Sequence, residues 1–267
     1  MSRIRRVILA QDLASRDPQA TRTAVALAAR LGAGVLGLFL EDPRLLRWAD
    51  LPVARQVSAW GVVAEQAQLE AQLRALAAQA QTELESAARR LGVPWSARVL
   101  RGALQDLAEA AADDLWVIGT AGQLMGLEVP TFALLRPTLP PAARLILLRP
   151  RTQGFQRPLV VLHESSSRVE AVLDAAWGLM ESPTQPLSVL MIGDRAELAT
   201  QVQAWQARRN ALLRPVHLGQ AGIAELAQVC AQVGCDGLVV AADWSWLEGE
   251  GLERLLAVVR TPVLVVQ

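Results

Sequence analysis

One order of segments is written twice along this chain of 267 residues. "VLRGALQDLAEAAADDLWVIG" in the first half and "VHLGQAGIAELAQVCAQVGCDGLVVAA" in the second share a plan. Each reads as a strand, a glycine, a helix containing Leu-Ala, an aspartate and a second apolar strand. The apolar runs, such as "RVILA" (Arg6–Ala10) and "PLVVLHE" (Pro158–Glu164), do not alternate with polar residues. Continuous apolar runs suit strands that are covered on both faces. Parallel strands need crossovers, and helices supply them. The repeat therefore predicts two tandem open parallel five-stranded sheets with helices on both faces, an α/β fold.

The first half carries strand signals at Arg6–Ala10, Gly34–Leu40, Trp95–Arg101, Leu115–Gly119 and Ala143–Arg149. Between them lie a helix ending on a glycine cap (Thr21–Gly32) and a long helix from about Val63 to Leu91. In the long helix Leu69, Leu73, Leu76, Ala77, Ala80, Leu84 and Ala87 fall on one face, as a core-facing stripe does. The second half repeats the order, with strands at Pro158–Glu164, Leu187–Gly193, Leu213–Gly219, Asp236–Ala242 and Thr261–Gln267. The non-periodic stretch "PRTQGFQRP" marks a break. It gives domains at 1–150 and 158–267 joined by a linker at 151–157. The halves are unequal, because Pro43–Trp60 is irregular and apolar with no counterpart of similar length.

Composition removes several function classes. Basic and acidic residues number 26 each, so no positive footprint for nucleic acid exists. Lysine is absent, which excludes a P-loop and Schiff-base chemistry. No run reaches the roughly 18 apolar residues of a membrane span, and the apolar run near the amino end is too short for a signal peptide. Cys230 and Cys235, with two histidines elsewhere, form no zinc pattern and read as reduced core thiols of a cytoplasmic protein.

The strand order, the spacing and the duplication resemble the universal stress protein family over essentially the whole chain. The residues that carry the likeness are "VILAQDLAS" with Asp12, Gly102 before a helix, "ADDLWVIGTAG", and the closing "TPVLVVQ". "GLFLEDPRLLRWADLPVARQVS" is similar to a segment of a proteobacterial, hence bacterial, branch. The resemblance implies an adenine nucleotide α-hydrolase-like sheet with strand order 3-2-1-4-5 and ligand at the carboxyl ends of its strands. In the N-terminal half it implies Asp12, Leu40, Gly119 and Gly122 as nucleotide-contacting residues. Family members that bind ATP resemble G-x-x-G, nine residues, then G-S/T. Here Gly119 and Gly122 match the first part, but Phe132-Ala133 stands at the second and Pro130 lacks an N–H. Losing two or three charge-assisted contacts of about 1.5–3 kcal/mol each would weaken binding about a thousandfold. In the second half "AADW" (Ala241–Trp244) stands for "GTAG" and Glu164 for Asp12.

The expectation is a non-catalytic stress-response protein that acts by binding a ligand or a partner, with ATP or another adenine nucleotide left open for the N-terminal half alone. An ATP/AMP-binding switch in that half is the alternative, and a weak nucleotide hydrolase the second alternative. A small-molecule ligand, a protein partner and a second copy of the chain remain open as partners, nucleic acid and membrane being excluded. The terminal strands Ala143–Arg149 and Pro262–Gln267 are expected to pair, since each would otherwise be an apolar edge.

Other constellations have plainer readings. His163 and Glu164 are adjacent in an extended segment, point to opposite faces and cannot both reach Ser166. Ser165–Ser167 read as a turn and helix cap. His217 reads as a solvated strand end, Asp113 and Asp114 as a polar turn, and Trp244 and Trp246 as packing aromatics.

Overall fold

The computed structural model describes residues 4–13, 17–41, 66–101, 113–118, 121–124, 127–130, 145–148, 155–180, 182, 184–193, 195–220, 222–244, 247 and 251–267. Contacts divide the chain into two units, Ile4–Ala142 and Ala143–Gln267. The expected irregular segment Pro43–Trp60, the helix after Gly102 and the Phe132-Ala133 pair lie outside the described residues.

In the N-terminal unit β1 (Arg6–Asp12), β2 (Gly34–Glu41), β3 (Trp95–Arg101) and β4 (Asp114–Ile118) form a parallel sheet in the order β4-β1-β2-β3. Every side chain of β4 is buried, and β1 is buried throughout its middle. Helix α1 (Pro18–Leu31) starts at Asp17, whose carboxylate accepts the Gln19 N–H at 2.8 Å, with Pro18 at the first position. It ends on Gly32 at φ 60°, a left-handed cap. Helix α2 (Gln66–Leu91) turns Leu73, Ala77, Ala80, Leu84 and Ala87 inward, the stripe expected from the sequence. Gly37 makes this packing close. A Cβ there would stand 2.6 Å from Leu84 Cδ2, so only glycine lets α2 rest on β2 at this point. Two further strands, β5 (Ala121–Leu124) and β6 (Leu127–Pro130), pair antiparallel in a stretch to which the sequence reading assigned no strand.

The C-terminal unit contains β7 (Leu145–Leu148), β8 (Pro158–His163), β9 (Leu187–Ile192), β10 (Leu213–Leu218), β11 (Gly237–Ala241) and β12 (Val263–Val266). Its parallel strands run β10-β9-β8-β11-β12, the third-second-first-fourth-fifth order of this half. Strand β7 joins β12 antiparallel, with Leu148 opposite Val263 and Ile146 opposite Val265. The terminal strands thus pair as expected, but β7 is grouped with the C-terminal unit, so the strand order of the first half differs in detail from the expected five. Helices α3 (Val169–Leu179), α4 (Arg195–Arg209), α5 (Ile223–Val233) and α6 (Gly251–Val258) supply the crossovers. Phe155–Arg157, read as linker, are held on this unit. The Asp236 carboxylate accepts the N–H groups of Gln156 and Arg157, each at 2.9 Å, and the Phe155 ring is 1% exposed.

Two carboxylates fasten elements within their units. Asp114 opens β4 with no exposure, and Arg6 on the neighbouring strand grips it through Nε at 3.3 Å and an Nη at 2.8 Å, with Arg5 at 3.6 Å. This is no polar turn. A carboxylate taken fully out of water needs a cation in contact, and the β1–β4 register sets Arg6 opposite it. Asp174 on α3 accepts the Trp205 indole N–H and an Arg209 Nη on α4, both at 2.9 Å. Burial pushes its carboxyl up, but the Trp205 hydrogen bond and the Arg209 charge outweigh burial and leave it below its ordinary 3.8.

Replacing Asp114 by Ala should cost about 2–3 kcal/mol in urea unfolding, somewhat under a wholly buried pair because Arg6 is 22% exposed. For Asp174 the folded carboxyl is the stronger acid. Its stabilisation is complete above the ordinary value of 3.8 and is lost as pH falls below that through the folded pKa. Unfolding at a series of pH values should show the wild-type advantage over Asp174→Asn constant near neutrality and shrinking only in acid.

Candidate functional site

Polar chemistry in such a unit collects at the carboxyl ends of the strands, in the crevice where strand order reverses. In the C-terminal unit β8 has β9 on one side and β11 on the other, so the crevice opens between the ends of β8 and β11. It is laced by side chains. Asp243, two residues past β11, reaches the loop after β8. Its carboxylate accepts the Ser166 hydroxyl at 3.2 Å, the Ser167 N–H at 3.0 Å and the Ser167 hydroxyl at 2.8 Å, with Arg168 Nε at 4.0 Å. The sequence reading gave the serines the capping role. Instead Arg168 occupies the cap position of α3 without a side-chain hydrogen bond, having no short oxygen to offer, and the Asp243 anion stands before that helix end.

The remaining groups are arranged around this link. The Ser165 N–H donates to His163 Nδ1 at 3.2 Å, so Nδ1 is the acceptor, and the Ser165 hydroxyl 2.8 Å away donates to the same nitrogen. The His163 ring stacks on Trp244, with centroids 6.4 Å apart and planes at 30°. Trp244 is 3% exposed, which agrees with a packing role; Trp246 lies outside the described residues. Glu164 folds over Gly193, whose φ of 98° favours glycine and whose missing Cβ leaves room for the carboxylate. His163 and Glu164 thus diverge, and neither is hydrogen-bonded to Ser166 through its side chain. His217 differs from the expected solvated end. It is half-buried, and among the described residues its Nδ1 is buried without a partner.

In the N-terminal unit the equivalent crevice lies between the ends of β1 and β4. Asp12 and Leu40 are direct partners in the β1–β2 register, so two of the four sequence-derived residues are neighbours. Asp12 is half-buried and Leu40 is 8% exposed. Gln11, 4% exposed, donates from Nε2 to the Asp17 carbonyl at 2.7 Å, tying β1 to the start of α1. Gly122 stands in β5 opposite Val129, and Gly119 lies outside the described residues. By the registers that pair Arg6 with Asp114 and Pro158 with Gly237, Thr120, and not Ala121 as the match of "GTAG" with "AADW" implies, takes the place of Asp243, and it lies outside the described residues.

Sequence reasoning passed over Asp243. The available signal was a run of three serines after one strand and an acid after the strand that should neighbour it. Among the described residues no three His, Cys, Asp or Glu side chains gather as a metal set, and no helix is long and apolar enough to cross a membrane. Asp243→Ala should lower stability by about 1–2 kcal/mol, through loss of hydrogen bonds to a partly exposed carboxylate, and speed amide exchange at Ser167. Unchanged exchange there would show that the link does not hold the loop.

No protein-family model and no curated protein sequence matches the chain. Solved structures do. A universal stress protein from Archaeoglobus fulgidus superposes with a TM-score of 0.69 at 9% identity, covering 98% of this chain and 96% of that one. A universal stress protein solved in complex with cAMP aligns at a TM-score of 0.32 and 17% identity, over 42% of this chain and 98% of its own. With parallel sheets and covering helices in both halves, the chain has the universal stress protein fold.

Proposed function

We propose that this chain is a non-catalytic stress-response protein that works by binding a ligand or a partner, and that its C-terminal half takes no nucleotide. The observation that carries the reading is Asp243. Its carboxylate lies across the crevice and uses the Ser167 N–H and two hydroxyls that an incoming anion would need. A phosphate would have to displace three hydrogen bonds and then face a fixed negative charge. The lack of catalysis is supported at His163. Its ring is held by Ser165 and stacked on Trp244, and among the described residues no carboxylate hydrogen-bonds that ring to orient it as a general base.

A second reading, an adenine-nucleotide switch in the N-terminal half, is favoured by one observation: Asp12 and Leu40 are register partners at the end of β1 and β2. Together with Gly119 and Gly122, and with Thr120 in place of a blocking carboxylate, they would form the remnant of a nucleoside site.

Calorimetry of the whole protein with ATP, ADP, AMP and cAMP separates the readings. The expected result is no micromolar binding. One site per chain, lost on Gly122→Val and kept in Asp243→Ala, would establish the switch instead. Two sites per chain would contradict both readings. Nucleotide hydrolysis that survives repurification would overturn the non-catalytic assignment.

A further inference from the structure

Cys230 and Cys235 have no part in the crevice, yet the fold brings them together. Cys230 is in the last turn of α5, and the helix closes on Gly234 in the left-handed conformation at φ 64°. The N–H groups of both Gly234 and Cys235 turn back onto the Cys230 carbonyl, the latter at 3.2 Å. A chain reversal of this kind folds the residue after the cap back over the last helical turn, as a disulfide with its usual Cα spacing of about 4.4–6.8 Å requires. Both thiols are free, and the residues are 7% and 8% exposed. They are shielded without being sealed, at a helix end where local opening costs least.

We propose that Cys230 and Cys235 form a site of reversible thiol oxidation that takes a small peroxide as oxidant and closes into an intramolecular disulfide. The roles follow from the surroundings. The neighbouring Cys230 thiol holds the Cys235 thiol below its ordinary range, outweighing burial and the Asp236 charge, and the charge of Arg157 acts in the same direction. The Cys235 thiol beside it and burial push Cys230 up, so it keeps its proton. The Cys235 thiolate attacks a peroxide oxygen, the O–O bond breaks, and the sulfur becomes a sulfenic acid with release of water once the leaving oxygen is protonated. Cys230 then attacks that sulfur. Its proton leaves with the hydroxyl as a second water, and the S–S bond forms. The two thiols lose two electrons and two hydrogens, and one hydrogen peroxide becomes two waters.

The test uses the intact native protein exposed to hydrogen peroxide, quenched and analysed by mass spectrometry after denaturing alkylation. The expected product has lost two hydrogens, contains a Cys230–Cys235 cross-linked peptide, offers no thiol to iodoacetamide, and recovers both thiols with dithiothreitol. Cys230→Ser should accumulate a dimedone-reactive sulfenic acid at Cys235. Cys235→Ser should react about tenfold more slowly, since its remaining thiol is protonated. Circular dichroism confirms that both variants are folded, and Cys230→Ala serves if the serine does not fold. Two alkylatable thiols after peroxide, or disulfides formed only between chains, would overturn the proposal. Equal reactivity of the two single variants would overturn the assignment of roles.

Discussion

The constraint on which the rest depends is that the central strands are apolar on both faces. Strands such as β4, β9 and β11 have every residue buried, so helices must cover them on both sides. No polar group can act from within such a layer without the cost Asp114 illustrates, where a single buried carboxylate engages two arginines. Chemistry is driven to the strand ends. Duplication then gives the chain two equivalent crevices, and the difference between them becomes the functional question.

That difference reduces to a few side chains. In the second half a carboxylate two residues past β11 supplies from within the chain the negative charge that a helix start attracts, and it ties together the loops on either side of the crevice. In the first half the matching position is Thr120, and both halves have an acid at the end of the central strand, Asp12 beside Leu40 in the first and Glu164 in the second. The second crevice is satisfied by its own residues. A duplicated scaffold of this sort can keep one half as a rigid support while the other retains freedom to bind.

Much of the fold was legible in the sequence because periodicity reports burial directly. The stripe from Leu73 to Ala87 on α2 and the span of β3 at Trp95–Arg101 follow from local pattern, and the strand order of the second half is what the family resemblance implies. What was not legible depended on partners distant in sequence. Asp114 looks like a turn residue until Arg6, 108 positions away, is set opposite it. Asp243 looks like the loss of a glycine until the serines, more than 70 positions earlier, are brought to the same crevice. The β5–β6 pair was hidden for another reason. Its strands are four residues each, too short for alternation to show, and glycine and proline within them read as loop. Asp12 and Leu40 came from the family resemblance, and the register shows that the two positions are neighbours.

The claim that Asp243 closes the second crevice is tested most directly by following the Ser167 and Arg168 amide resonances of isotope-labelled protein during titration with ATP. With the carboxylate in place these resonances should not move at millimolar nucleotide. A saturable shift at Ser167 in the unmodified chain would show that the anion enters, and that the crevice is open after all.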